Sequence, residues 1–158
     1  MKEEVYLRPL TVEDSAISWR WRNDTRLWRF TASHPDRFIT EDMEKSWATK
    51  AIADKSRLNF AICLTSSNRY IGNVYLVNIS GEEGDLGIFI GDKECHGKGF
   101  AQQALSKLKT LARDKYGINR IKIGVNPDNL AALIAYLKSG AKFEDGMNWL
   151  NLVIETDA

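Results

Sequence analysis

Hydrophobic and polar positions follow two different periods along this chain, and the switches between them mark out its elements. Val5-Tyr6-Leu7 reads as a short strand stopped by Arg8-Pro9, and Thr11 to Asp14 as an N-cap with an acidic first turn. That turn opens a helix to about Arg22 with Ile17 and Trp21 on one face, ended by Asn23-Asp24. Residues 25–39 show no period and read as a loop with room for a helical turn. A second helix runs from Thr40 to about Ala53 and is expected to bury Met43, Trp47 and Ala51. Three strands follow, Leu58 to Thr65, Tyr70 to Ile79 and Asp85 to Ile90. Their turns, Ser66-Ser67-Asn68 and Gly81-Glu82-Glu83-Gly84, predict an antiparallel meander.

The strongest helical period comes next, where Ala104, Leu105, Leu108, Leu111 and Ala112 fall on one stripe. Arg120 to Val125 is a fifth strand, and a return through that long helix makes it parallel to the fourth. A last helix from about Asn129 to Lys138 stops at Ser139-Gly140, and residues 141–144 and 147–154 read as a closing pair of strands. The order β α α β β β α β α β β is that of an α+β protein with a mixed sheet. A dinucleotide-binding fold would alternate strand and helix throughout.

The 158 residues suit a single domain over 1–158, and 44% hydrophobic with 27% charged residues is a globular composition. A formal net charge of +1 supplies no field to draw in nucleic acid, so none is expected as a partner. No apolar run reaches the roughly 18 residues that span a bilayer, and MKEEVYLRPL lacks a signal-peptide layout. The expectation is a cytoplasmic protein without a membrane partner. Cys63 and Cys95 match no metal spacing, and no metal is expected. Cys95, near a helix start, could have a lowered pKa, although a bystander thiol is the commoner case.

Candidate chemistry centres on His96-Gly97-Lys98-Gly99-Phe100-Ala101, which feeds the long helix. Two glycines allow a sharp bend and close backbone approach. The unpaired N–H groups of the helix start, with the positive end of its dipole, make an anion site suited to phosphate. The third glycine of G-x-G-x-x-G is missing, as is the whole Walker pattern.

About thirty residues on, Asn126-Pro127-Asp128-Asn129 leads to Tyr136-Leu137-Lys138-Ser139-Gly140-Ala141-Lys142-Phe143. Together the two segments resemble the two signatures of the GNAT N-acetyltransferases: the acetyl-CoA pyrophosphate loop, Gln/Arg-x-x-Gly-x-Gly/Ala, and an Asn followed by Tyr-x-Lys-x-Gly-Phe. Leu7-Arg8-Pro9, Trp21-Arg22-Asn23-Asp24 and Asp85-Leu86-Gly87 are similar to the branch of ribosomal-protein alanine, spermidine and nucleotide-amino-sugar acetyltransferases. Two departures stand out: His96 replaces the usual Gln or Arg, and Ala141 follows Gly140 where the family has Phe.

The resemblance implies a three-layer acyl-CoA N-acyltransferase fold whose mixed sheet splays at strands 4 and 5, with acetyl-CoA as co-substrate. Its pyrophosphate would lie on the N–H groups of Cys95, His96, Gly97, Lys98, Gly99, Phe100 and Ala101, with Lys98 adding charge. Ile88, Phe89 and Ile90 would offer backbone groups to the pantetheine arm, one N–H facing the thioester oxygen. A bulge is expected there, at Gly87 or Gly91. Asn129 would bind pantetheine or only cap its helix. Tyr136 is the implied general acid for the departing thiolate, against a core aromatic as the plainer reading. For the base, Asp85 comes first and Glu83 second, with water as the alternative.

The acceptor pocket should lie between the first two helices and their loop, where Trp19, Arg22, Trp28, Arg29 and His34 offer aromatic faces and cations. Such a lining suits an amino sugar or nucleotide-linked amino sugar ahead of a polyamine or protein N-terminus. A non-catalytic acyl-CoA-binding sensor is the reading from another class. A homodimer through the last strands is the default expectation for assembly.

Overall fold

The computed structural model describes residues 3–30, 35–144 and 150–156. β1 (Val5–Pro9) is followed by a single 3-10 turn (Val12–Asp14) and α1 (Ser15–Arg22). Thr11 and Asp14 join them: the Thr11 N–H donates to Asp14 Oδ2 at 2.8 Å, and the Arg8 guanidinium grips both Asp14 oxygens at 2.9 and 2.7 Å. α2 (Glu41–Ala53) starts at Thr40, whose hydroxyl accepts from the Met43 N–H. The meander is β2 (Leu58–Leu64), β3 (Tyr70–Ser80) and β4 (Glu83–Ile90). Then come α3 (Phe100–Tyr116), β5 (Arg120–Val125), α4 (Leu130–Lys138), β6 (Lys142–Glu144) and β7 (Leu150–Glu155). The expected start of the closing strand at 147–149 lies outside the described residues.

All seven strands form one sheet in the order β1-β2-β3-β4-β5-β7-β6, and the β4–β5 pair is parallel. β7 therefore slips between β5 and β6, pairing antiparallel with both. Strand alternation divides the burial between two faces. On one face Ile62, Val74, Leu76, Ile121 and Ile123 meet Phe100, Ala104, Leu105, Leu108 and Ala112 of α3. This is the stripe expected from the sequence, with Leu111 at its half-buried margin. On the other face a smaller cluster of Leu10, Trp21, Ala61, Cys63 and Tyr70 seats α1. The result is the three-layer α+β arrangement.

The layer of α1 and α2 departs from the expected apolar faces. Trp21 and Ala51 are buried as expected, but Ile17 is 47% exposed and Met43 38%, and the other buried positions are Ser15, Ser18, Glu44 and Ala48. Glu44, 2% exposed, accepts from Ser18 Oγ at 3.0 Å and from Arg22 Nε at 3.1 Å. These two helices pack through small residues and one buried ion pair, a pattern that hydrophobic periodicity does not reveal.

The bulge is also elsewhere than expected. β3 and β4 stay in unbroken register from Gly72↔Ile90 to Val77↔Asp85, and the shift falls between Val77 and Ser80, where Asn78 takes a φ of 52°. Gly87 and Gly91 answer to packing instead. A Cβ on Gly87 would stand 2.0 Å from the Tyr75 ring, and one on Gly91 2.0 Å from the Trp21 indole.

Candidate active site

β4 and β5 hydrogen-bond only at their base, with Glu83, Gly84 and Asp85 opposite Arg120, Ile121 and Lys122. Beyond that point β4 runs on to Ile90 and β5 to Val125 without pairing, so the sheet opens into a V. Residues Leu86 to Ile90 therefore keep their β5-side backbone groups outside the ladder, in the middle of a sheet where such groups are normally satisfied. A cavity of about 260 Å³ occupies the opening. Gly87, Ile88 and Phe89 form one wall, Gly124 to Asn126 the other, while Trp28 and Tyr75 close it on the α1/α2 side and Asn129 and Tyr136 on the α4 side.

α4 delivers Tyr136 to this cavity. Asn129 caps the helix, its Oδ1 accepting from the Ala132 N–H at 3.3 Å, which leaves the Asn129 amide donors available to the slot. The Tyr136 hydroxyl has no hydrogen-bond partner among the described residues. Burial pushes its phenol up to about 12, and the neighbouring Tyr75 adds to the shift. Tyr75 was not foreseen: it stands opposite Gly87 in the ladder, and the bare glycine lets its ring lie flat across β4 and into the slot. A Tyr directly across from a Gly on adjacent strands was the available signal.

The glycine turn lies past the open end of β4. A 3-10 turn (Lys93–Cys95) comes first, and within it the N–H groups of Cys95 and His96 already donate to Asp92 and Lys93 carbonyls at 3.0 and 3.2 Å. Gly97 and Gly99 then take φ values of 72° and 79°, a left-handed conformation open to glycine, and Gly99 is the N-cap of α3. From Gly97 to Gln102 no backbone N–H has a protein acceptor among the described residues, so six consecutive donors face outward at the positive end of a 17-residue helix. Phe100 is 4% exposed, and its side chain belongs to the core. His96 donates from Nε2 to the Ile90 carbonyl at 2.6 Å, tying the turn to the end of β4. Burial raises the Cys95 thiol above its ordinary value, the reverse of a helix-activated thiolate.

The two expected carboxylates sit at the vertex of the V. Asp85 is the last residue of β4 paired with β5; its oxygens meet Lys122 Nζ at 3.5 Å and the Asn78 amide at 3.0 Å. Glu83, two residues farther from the slot, bridges Lys122 at 3.4 Å and Arg120 at 3.6 Å. Of the two, Asp85 is closer along the strand to the cavity that begins at Leu86.

On the acceptor side the expected residues separate. Trp28 lines the slot, its ring centre 5.1 Å from that of Phe89 with the planes tilted by 60°, and its indole N–H is held by the Trp21 carbonyl. Arg22 is committed to Glu44 and lies over the Trp47, Trp28 and Phe89 rings at 4.4, 5.3 and 5.5 Å. It lines a separate cavity of about 330 Å³ between α1, α2 and the intervening loop. Arg29 is exposed and rests on its neighbour Phe30 at 4.5 Å, and Trp19 packs edge-on to Phe38. His34 lies outside the described residues.

A mixed sheet split between its fourth and fifth strands, with a glycine-turned helix at the mouth of the split, is the acyl-CoA N-acyltransferase fold. The chain belongs to the acetyltransferase (GNAT) domain family, whose match covers residues 4–142, and is an acetyltransferase. It is 26% identical over 144 residues to the probable N-acetyltransferase YjcK of Bacillus subtilis, covering 86% of this chain and 79% of that protein. Among solved structures it superposes on spermidine N-acetyltransferase of Vibrio cholerae, in complex with CoA and spermine, with a TM-score of 0.85. That match has 20% identity and covers 98% of this chain and 96% of that one. Mycobacterium smegmatis RimJ, in complex with CoA-disulfide, gives 0.84 at 19% identity, covering 97% and 83%. No helix among the described residues is long and apolar enough to cross a membrane.

Proposed function

We propose that this chain transfers an acetyl group directly from acetyl-CoA to the primary amine of a small ring-bearing molecule, with an amino sugar or nucleotide-linked amino sugar favoured. The observation that carries the reading is the V between β4 and β5, with Tyr136 aimed into it and six outward N–H donors at its mouth. The residues fit the donor. Gly97 to Gln102 would hold its pyrophosphate, with Lys98 as an exposed countercharge, while the unpaired edge of Leu86 to Ile90 and the Asn129 amide would take the amide-rich arm. When bound, acetyl-CoA supplies the activated acyl group.

The remaining steps belong to side chains. A backbone N–H on the open side of β4, at Ile88 or Ile90, stabilises the oxygen on which charge develops. Tyr136 holds its proton at neutral pH and gives it to the departing sulfur. Asp85 receives the ammonium proton through water at the vertex, while Glu83 fixes Arg120 and Lys122. The acceptor enters past Trp28, Phe30, Tyr75 and Phe89. These rings suit a sugar face, and the described residues lining the slot include no carboxylate to hold a polycation.

The test is acetyl-CoA-dependent thiol release against glucosamine, a nucleotide-linked amino sugar, alanyl and seryl peptides, and spermidine. Selective turnover of the sugars is expected. Selective turnover of spermidine or a peptide would refute the acceptor assignment, and thiol release with no amine at all would refute transfer as the function.

A further inference from the structure

Arg57 stands just before β2 on the sheet face that carries α1 and α2, away from α3 and the glycine turn. Its guanidinium carbon is 5.6 Å from the centre of the Trp47 ring and 5.4 Å from that of Tyr75, so two aromatic faces hold it. Nε and Nη2 both donate to Asn59 Oδ1, at 3.2 and 3.0 Å. That uses two of its five N–H groups and fixes the plane of the fork. The end-on pair of N–H groups, shared between Nη1 and Nη2, has no acceptor among the described residues, and no carboxylate there comes within 4.0 Å of Arg57.

The neighbouring charges do not cancel it. Arg22, which shares the Trp47 ring, is matched by the buried Glu44. Asp54 is exposed and accepts from the Ser56 N–H and hydroxyl. Burial and the Arg22 charge both work against the Arg57 cation, and Tyr75 and Asp54 only partly offset them. A half-buried guanidinium kept in one orientation without a counter-ion is what an oxyanion site needs, because partial desolvation strengthens the pairing when the anion arrives.

Its place relative to the slot gives the site a use. Tyr75 is in contact with both: one part of its ring lines the cavity that holds Tyr136, and Arg57 lies against the same ring. An acceptor whose amine reaches the slot would extend past Tyr75 toward Arg57. We infer that Arg57, clamped between Trp47 and Tyr75, is a specificity-determining residue that binds a carboxylate or phosphate of the amine acceptor about one aromatic ring away from the reacting nitrogen. This rests on the acetyl-transfer reading of the slot and narrows its acceptor to an amine that also bears an oxyanion.

The test compares matched acceptors, glucosamine 6-phosphate with glucosamine and L-alanine with L-alaninamide, with spermidine as a polycation. In the unaltered protein the anionic member of at least one pair should have about 10–100-fold higher kcat/KM, the range of one charge-assisted hydrogen-bonded pair. Arg57→Gln should bring that ratio to within about threefold of unity, and Arg57→Lys, which keeps charge without the fork, should fall between. A merely structural role would lower all acceptors together and leave the ratio intact. Equal use of both members of each pair, preference for spermidine, or a ratio unchanged in Arg57→Gln would each overturn the inference. Calorimetry of glucosamine 6-phosphate binding to the CoA-loaded protein separates this from the acetyl-transfer reading. Binding lost in Arg57→Gln supports the site even if no amine is turned over, and an absence of binding to the unaltered protein overturns it.

Discussion

Tyr136→Phe removes one oxygen from the slot and nothing else. The hydroxyl has no hydrogen-bond partner among the described residues, and the ring that fills the gap between α4 and the sheet is kept, so the fold should lose no more than about 1 kcal/mol. The chemical consequence is much larger. A positioned general acid is worth about 10²–10⁴-fold, and a phenol raised to about 12 is a weaker acid than an ordinary tyrosine. The same burial that raises the phenol also raises the pKa of a sulfur leaving beside it, which keeps donor and acceptor near one another. The lower half of the range follows, about 10²–10³-fold in kcat, or roughly 3–4 kcal/mol of barrier at 1.36 kcal/mol per tenfold. The assay is thiol release at saturating acetyl-CoA and amine, with CoA affinity followed by calorimetry and expected to stay within about threefold. A kcat within fivefold of the parent across the pH range would refute the general-acid assignment, and a collapse of CoA affinity would show that Tyr136 acts by shaping the slot.

Gly87→Ala forces a Cβ into the Tyr75 ring and should cost at least tenfold in kcat/KM and several degrees in Tm; adding Tyr75→Ala should return part of the stability, which a double-mutant cycle in urea measures. Glu44→Ala leaves Arg22 unpaired beneath three aromatic rings and should destabilise by about 3–5 kcal/mol in urea unfolding, and Glu44→Gln by distinctly less. Because the folded Tyr136 phenol titrates near 12 and an unfolded one near 10, the unfolded chain alone ionises between those values. Stability from this group is therefore intact below pH 10 and falls by up to about 3 kcal/mol toward pH 12, a slope that Tyr136→Phe should reduce in pH-dependent melts. Asp85→Asn should lower kcat/KM most at the acidic end of the profile, where the amine is fully protonated; a uniform loss would assign the proton to water alone.

The α3 side of the molecule was legible because its physics is local. The stripe from Ala104 to Ala112 announces a helix on a sheet, and the paired glycines at 97 and 99 announce a bend with free N–H groups. The acceptor side was legible only in outline. The sequence shows Trp28 as an aromatic in the loop beside the slot, but it does not show that Arg22 is taken, because its partner Glu44 is 22 residues away on another helix. Tyr75 and Arg57 were missed because their meaning depends on register: only when Tyr75 stands opposite Gly87 does its ring reach the slot and bring Arg57 beside it. Gly87 and Gly91 stand out in the sequence as candidates for a bulge, whereas their reason is the space taken by the Tyr75 and Trp21 rings. A sequence shows that a residue is small, not which ring needs the space.

The two faces of the sheet are held very unequally. Among the described residues, nineteen buried hydrophobic side chains form the cluster that binds α3 and its neighbours to one face, and five form the cluster that seats α1 on the other, where α2 joins through small residues and the Arg22–Glu44 pair. Local opening follows the weaker packing, so amide exchange in α1 and α2 should outpace that in α3 by orders of magnitude. The molecule thus has a deeply packed side and a lightly packed one. If the proposed acceptor site holds, substitutions among Trp28, Trp47 and Arg57 should redirect which amine is admitted while the deep core under the glycine turn stays untouched. Thus one donor-binding half can be kept through a long succession of acceptors.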